Sequence, residues 1–257
     1  MDQASIPVFD QGFQYGYGFF ETLRVERGTP QYLKKHIDRF YKTWKYLFAE
    51  ETPDPTRHDI IRKVIAKNGL LKQTAALKII TTKGNREAPP FNHALMAIAR
   101  PYRHRLAEKK EEGLHLATYP KPHQSPLAEH KTLHYLYYFL AGKLATAQGA
   151  DKALIMNPDG TISETNTANI LLLKAETILR PVSPHVLPGI MEKMVCDFLV
   201  KQVYLIETKE IRSKDLFFVD EVFVTNSLIG ALPVLTIDHK KTGSTSDLWR
   251  KINEAMF

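Results

Sequence analysis

Glu129-His130-Lys131-Thr132-Leu133-His134-Tyr135 and, further along, Asp159-Gly160-Thr161-Ile162-Ser163-Glu164-Thr165-Asn166-Thr167-Ala168-Asn169 are the stretches on which the fold of this chain turns. Behind Lys131, apolar residues recur at helical spacing (Leu133, Leu136, Tyr137, Leu140, Ala141, Leu144, Ala145). This predicts a helix reaching Gln148, with Thr132 as its N-cap and Gly149 as its stop. Lys131 then sits on the turn ahead of that helix. Ala153 to Met156, the turn Asn157-Pro158-Asp159-Gly160 and a second run ending in Leu171-Leu172-Leu173 read as a β-hairpin that carries Glu164. A lysine in apolar surroundings has its pKa lowered, because burial disfavours the ammonium form, and such an amine can bond to an aldehyde.

Upstream, Gly12, Gly16 and Gly18 punctuate Phe13, Tyr15, Tyr17, Phe19 and Phe20 as glycine-aromatic turns, and Phe19 to Glu26 reads as extended. Leu33, Ile37, Phe40, Tyr41, Trp44, Leu47 and Phe48 form one helical stripe, with Arg39 off it. Thr56 to Gly69 predicts a second helix, opened by a Thr-x-x-Asp box. Ala75 to Thr82, His93 to Arg100 and Leu114 to Tyr119 read as strands, which makes this half α+β. Three prolines between Tyr119 and Pro126 mark a linker. The expected division is a small N-terminal domain over 1–118, a linker over 119–129 and a larger domain over 130–257. Downstream, Ile190 to Leu199 predicts a helix with Ile190, Met191, Met194, Val195, Phe198 and Leu199 inward, and Val203 to Thr208 and Glu221 to Asn226 read as strands. The backbone N–H groups of Gly189, Ile190 and Met191, opening that helix, favour an anion.

At 257 residues, with 44% apolar and 25% charged residues, the chain reads as an ordinary globular protein able to bury a large core. No apolar run is long enough to cross a bilayer, and Met1-Asp2-Gln3-Ala4-Ser5 lacks the form of a signal peptide. A cytoplasmic protein with no membrane partner is therefore expected. The single cysteine, Cys196, excludes an internal disulfide and falls on a helix pattern as a packing residue. A net charge of +7 suits an anionic small substrate or a nucleic acid. The basic residues, clustered at Arg103 to Arg105 and Lys109-Lys110, accompany no nucleic-acid motif, so no nucleic-acid partner is expected. His130 and His134, four apart beside Glu129, have metal-ligand spacing on a helix face, but no distant ligand cluster joins them and no metal is expected.

The run from Lys131 to Asn169, with Leu187-Pro188-Gly189-Ile190-Met191 and Asp220-Glu221-Val222-Phe223-Val224-Thr225-Asn226-Ser227 after it, resembles the class IV aminotransferases. That family of pyridoxal phosphate enzymes includes branched-chain and D-amino-acid aminotransferases and 4-amino-4-deoxychorismate lyase. The similarity runs from about Phe9 to about Val234. It implies an α+β, two-domain fold, with a small α/β N-terminal domain and a larger C-terminal pseudo-barrel domain, and a homodimer acting on a small amino or carboxylate substrate. Pyridoxal 5'-phosphate needs a lysine for its aldehyde and a carboxylate opposite its ring nitrogen to keep the ring an electron sink. Lys131 and Glu164 match those roles. The family's His-x-x-Arg motif, here His36 to Arg39, implies Arg39 at the cofactor phosphate, where a planar guanidinium makes two parallel bonds. Gly189, Ile190, Met191, Asn226 and Ser227 are implied around the same phosphate. Met191 stands where many relatives carry threonine, which removes one side-chain hydrogen bond. Tyr135 reads either as a contact to the cofactor's ring hydroxyl or as a core tyrosine.

Tyr15 to Thr22 resembles a Tyr-Gly-x-Gly-x-Phe-Glu-Thr segment that lines the active site in the family, which makes Tyr15 and Thr22 substrate candidates. The cationic loop 83–90 adds Lys83 and Arg86 for a substrate carboxylate. Three features lean toward 4-amino-4-deoxychorismate lyase, which releases pyruvate to give 4-aminobenzoate for folate biosynthesis: the short chain, the run Leu77 to Gly84, and Lys78 where branched-chain enzymes carry arginine. The Arg-x-His pair of D-amino-acid enzymes is missing from Arg86-Glu87-Ala88. An aminotransferase acting on D- or branched-chain amino acids stays open, because Lys131-Thr132-Leu133 and Glu164-Thr165 occur across branches.

Overall fold

Asp10 caps a short helix, α1 (Gln11–Tyr15), by accepting from the Phe13 N–H at 3.0 Å, where the sequence read only turns. Gly16 ends it with φ +69°, a left-handed conformation that suits glycine. The computed structural model describes residues 5–50, 58–87, 93–104, 113–244 and 246–257. Contacts divide the chain into two units: Met1–Arg103 with His130–Tyr135, and His104–Glu129 with Leu136–Phe257.

In the first unit, β1 (Gly18–Glu26), β2 (Thr29–Pro30), β3 (Ala75–Thr82) and β4 (Ala94–Pro101) are hydrogen-bonded in the order β2-β1-β3-β4. Alternation gives β1 two unlike faces. Phe19, Leu23 and Val25 join Phe40, Trp44 and Phe48 of α2 (Leu33–Phe48) in one core, with Ile61 and Ile65 of α3 (His58–Lys67). The Phe19 ring lies 4.8 Å from Phe40 and 5.7 Å from Phe48, centroid to centroid. By register, Thr22 stands opposite Lys78, and both Arg24 and Arg100 stand opposite Ala76. Phe20, Thr22, Lys78 and Arg100 therefore share the other face. The expected opening of α3 at Thr56, the basic residues Arg105, Lys109 and Lys110, and the end of loop 83–90 lie outside the described residues.

The second unit is built on a nine-stranded sheet of β5 (Leu114–Thr118), β6 (Lys152–Met156), β7 (Ile162–Thr165), β8 (Asn169–Lys174), β9 (Thr177–Pro181), β10 (Leu205–Lys209), β11 (Glu221–Asn226), β12 (Gly230–Ile237) and β13 (Lys240–Lys241). Its order is β10-β9-β8-β11-β12-β5-β6-β7, with β13 beside β12. Because β7 also contacts β8 and β9, the sheet curls back as a half-barrel. Helix α4 (Leu136–Ala147) packs Ala141 and Ala145 against Ala117, Ala153 and Ile155. Helix α5 (Ile190–Lys201) lies on β11, and α6 (Leu248–Met256) on β12.

Several expectations change. The sequence placed the first boundary at 118, yet β5 pairs with β6 and β12, which puts Leu114–Thr118 in the larger sheet. Helix α4 starts at Leu136 and not at Leu133, and Thr132 is no cap. The Phe20 N–H donates to the Lys131 carbonyl at 2.9 Å and the Leu133 N–H to the Gly18 carbonyl at 2.9 Å, so this backbone serves as a strand partner of β1. His130 and His134 accordingly do not share a helix face. The predicted hairpin holds between β6 and β7, but Leu171 to Leu173 belong to a separate strand, β8. Thr165 makes the break: its hydroxyl accepts from the Ala168 N–H and donates to the Ala168 carbonyl, both at 2.9 Å. On α5 the buried residues are Met191, Glu192, Val195 and Leu199, rotated from the expected stripe because Glu192 turns inward onto Arg180.

Candidate active site

Lys131 lies in the short return to the first unit, its backbone fixed by the bonds to β1. Its half-buried Nζ is 4.8 Å from the centroid of Phe20 and 5.8 Å from that of Tyr135, and those two rings meet edge to face at 5.6 Å. The Nζ of Lys78 is 4.1 Å from the same Phe20 ring. One aromatic ring thus carries two ammonium groups, each drawn to its negative face. Burial first, and the charge of Arg100 second, push the Lys78 pKa down. Tyr135 forms part of the aromatic wall around the lysine amine.

Arg39 is held by a buried carboxylate that the sequence reading left without a role. Its Nε and Nη2 donate to the two oxygens of Glu21 at 2.7 Å each, and His36 Nδ1 meets Glu21 Oε2 at 2.7 Å. Burial alone would raise the Glu21 pKa, but the Arg39 charge and hydrogen bonds, with those of His36, outweigh it and hold the group at about 2. His36 is pushed down, by burial against the opposing pull of Glu21, with the charges of Arg39 and Lys131 adding to the fall. The imidazole is therefore neutral and gives its Nδ1–H to Glu21, while both Arg39 and Lys131 lie within its electrostatic reach.

Thr22 shares the Lys78 face, but the other substrate candidates stand apart. Tyr15 is exposed on α1. Lys83 pairs with Glu50 and lies 5.4 Å from the Phe48 ring. Arg86 is exposed in the turn after it. His130 Nδ1 is 3.2 Å from the Thr43 hydroxyl, and its ring stacks on Tyr46 at 4.1 Å. Among the described residues no group of three or more metal-ligating side chains occurs.

In the second unit Glu164 is buried on β7, opposite Ile155, and its Oε1 accepts from the Tyr138 hydroxyl at 2.8 Å. Gly189 is the N-cap of α5 and has no side-chain capping bond. Its own N–H donates to Glu192, so the amides of Ile190 and Met191 head the helix at the positive end of its dipole. A Cβ on Gly189 would fall 2.0 Å from Asn169 Oδ1, while Asn169 Nδ2 donates to the Leu187 carbonyl at 2.9 Å. Only glycine fits this close approach. The Met191 side chain is buried in the core, so this position offers its amide. Asn226 builds the turn that carries Ser227: its Oδ1 accepts from the Leu228 and Ile229 N–H groups at 2.9 and 3.0 Å, and its Nδ2 donates to the Thr167 carbonyl at 2.9 Å. Burial pushes the Cys196 thiol up to about 11, which suits a packing residue.

The first unit carries a lysine amine among aromatic rings and a fixed guanidinium, and the second carries a buried carboxylate and a glycine-shaped helix start; each is a group of the kind that pyridoxal phosphate calls for. The chain belongs to the class IV aminotransferase family, whose model, described as amino-transferase class IV, matches residues 18–237. Enzymes of this family use pyridoxal phosphate. The chain is 27% identical over 254 residues to the branched-chain-amino-acid aminotransferase-like protein 2 of Arabidopsis thaliana, covering 94% of this chain and 45% of that protein. It therefore spans less than half the length of that relative. It is 26% identical over 247 residues to the aminodeoxychorismate lyase of Vibrio harveyi, covering 91% of this chain and 88% of the other. A hypothetical aminotransferase from Mycobacterium tuberculosis, solved with α-ketoglutarate and PMP bound, shares the fold with a TM-score of 0.89 at 19% identity, over 99% of this chain and 94% of its own.

Glu21, Tyr138 and His123 escaped the sequence reading. For Glu21 a signal existed: the alternation of β1 puts it on the face of Phe19, Leu23 and Val25, and a carboxylate on a buried face needs a partner.

Proposed function

We propose that this protein is a 4-amino-4-deoxychorismate lyase in which Lys131, Arg39, Glu164, Ser227 and the amides of Ile190 and Met191 hold the cofactor. When bound, pyridoxal phosphate draws electrons from the substrate Cα into its ring. Lys131 Nζ would hold the aldehyde and would serve as the base for the substrate Cα proton. Glu164 would hold the ring nitrogen and favour positive charge there. Arg39, aimed by Glu21, would donate to a phosphate, and the amides of Ile190 and Met191 would favour the same kind of anion. To this point a lyase and an aminotransferase are alike.

The two amines on Phe20 carry the choice. An aminotransferase returns one proton to the cofactor, and a single lysine serves. A lyase must also break the bond between a ring carbon and the enolpyruvyl oxygen. That oxygen leaves with the electron pair and takes a proton, while the remaining ring becomes aromatic as 4-aminobenzoate. Lys78, half-buried with a lowered pKa, is the proton donor we assign to the departing oxygen, with Thr22 and Arg100 on the same sheet face for the substrate. The alternative, an aminotransferase for branched-chain or D-amino acids, is supported by the Arabidopsis relative.

The deciding experiment is the visible spectrum of the purified protein with D-alanine, L-glutamate and L-leucine, alongside pyruvate release from aminodeoxychorismate. Pyruvate release with a band that survives all three donors supports the lyase; a donor that bleaches the band makes it an aminotransferase. We also read the outer face of α4, where Leu136, Phe139 and Leu140 are 69, 65 and 45% exposed, as the surface a second copy covers. Phe139→Glu should shift sedimentation from dimer to monomer. No helix of the described residues is long and apolar enough to cross a membrane.

A further inference from the structure

Behind Glu164 stands a set of side chains that the cofactor reading does not use. The Tyr138 hydroxyl, 2.8 Å from Glu164 Oε1, is 3.4 Å from His123 Nδ1. The His123 ring lies between Tyr137 and Tyr138, with centroids 4.6 and 5.0 Å away. Its backbone N–H donates to the Met156 carbonyl of β6 at 2.9 Å, and its ring is bonded to the His185 carbonyl. The Tyr137 hydroxyl donates to the Lys121 carbonyl at 2.5 Å. Two consecutive tyrosines at the start of α4 thus clasp one imidazole, and the shorter distance points the Tyr138 O–H at the carboxylate, which accepts it. A donor bonded to a carboxylate favours its ionised form, and such charge-assisted bonds are short and strong.

We propose that Tyr138 is a positioning residue for Glu164: it fixes one carboxylate oxygen so that the other is presented, ionised, to a ring nitrogen, and His123 fixes Tyr138. The proposal rests on the reading of Glu164 as the ring-nitrogen partner. Neither residue touches the reacting atoms, and the family resemblance assigns a role to neither.

The test uses the holoenzyme carrying pyridoxal phosphate labelled with nitrogen-15 in the ring, followed by NMR in wild type, Glu164→Gln, Tyr138→Phe and His123→Gln, with circular dichroism as a check on folding. Glu164→Gln should move the ring-nitrogen signal to the position of an unprotonated pyridine. Tyr138→Phe keeps the aromatic ring and should move the signal part of the way. It should also weaken pyridoxal phosphate binding about tenfold, the scale of one charge-assisted hydrogen bond. His123→Gln should move the signal in the same direction by less, and it stands in should Tyr138→Phe not fold. A signal unmoved in both Tyr138→Phe and His123→Gln, with Glu164→Gln displaced, overturns the proposal alone. A signal unmoved in Glu164→Gln overturns the ring-nitrogen reading and the proposal with it.

Discussion

Two buried carboxylates, Glu21 in the first unit and Glu164 in the second, each have a histidine behind them, and the two are treated in opposite ways. Glu21 is clasped by the Arg39 guanidinium through two 2.7 Å bonds and by His36 through a third. Glu164 takes its 2.8 Å bond from a neutral phenol. A carboxylate that aims a cation is neutralised inside the protein. Glu164, which we propose meets a cation on a ligand, is bonded by a hydroxyl that orients it without cancelling its charge. A charged partner ties the first to folding, and the proposed role ties the second to chemistry.

Removing each carboxylate in turn tests that contrast. Glu164→Gln should lower turnover by about 10²–10⁴-fold, the range for a group acting on a proton in the transition state, while urea denaturation finds stability within about 1 kcal/mol of wild type. Glu21→Gln should do the reverse, costing about 3–5 kcal/mol of stability as a buried pair loses one member. The same pair predicts a pH dependence. Because Glu21 is held at about 2, below its ordinary 4.5, its contribution is fully present above pH 4.5 and is lost as pH falls toward 2. Wild type should therefore lose stability over that window and Glu21→Gln much less; equal losses would break the contrast. Lys78→Met should slow pyruvate release about ten- to a hundredfold, the loss of one charged hydrogen bond in the reacting state, with pyridoxal phosphate affinity unchanged. Gly189→Ala, placing a methyl 2.0 Å from Asn169 Oδ1, should cost about 1–3 kcal/mol by thermal melting and weaken pyridoxal phosphate binding in equilibrium dialysis.

Where local pattern governs, the sequence was legible to the residue: α2 over Leu33–Phe48, β3 over Ala75–Thr82 and β11 over Glu221–Asn226 lie where apolar spacing put them. Where a distant segment competes, it was not. Lys131 to Tyr135 has helical apolar spacing, yet its backbone pairs with β1, which lies far earlier in the chain and leaves no local mark. β12 carries Pro233 opposite Phe223, and proline argues against a strand unless its neighbours are known. The family's paired motifs named Lys131, Glu164 and Arg39. The groups that aim two of them are less visible: Glu21 sits in a quoted motif without an assigned role, and His123 falls in a proline-rich run that reads as a linker.

The return of His130–Tyr135 to the first unit also sets an order of events during synthesis. Residues up to Arg103 leave the ribosome before the segment that pairs with Phe20 exists, and at about 5–20 residues per second a few seconds separate them. During that interval the nascent first unit has the edge of β1 but neither the segment that pairs with it nor Lys131. A fragment ending before His130 would lack that partner and Lys131, so cutting this unit out as one continuous piece, or fusing it at Arg103, would leave both behind.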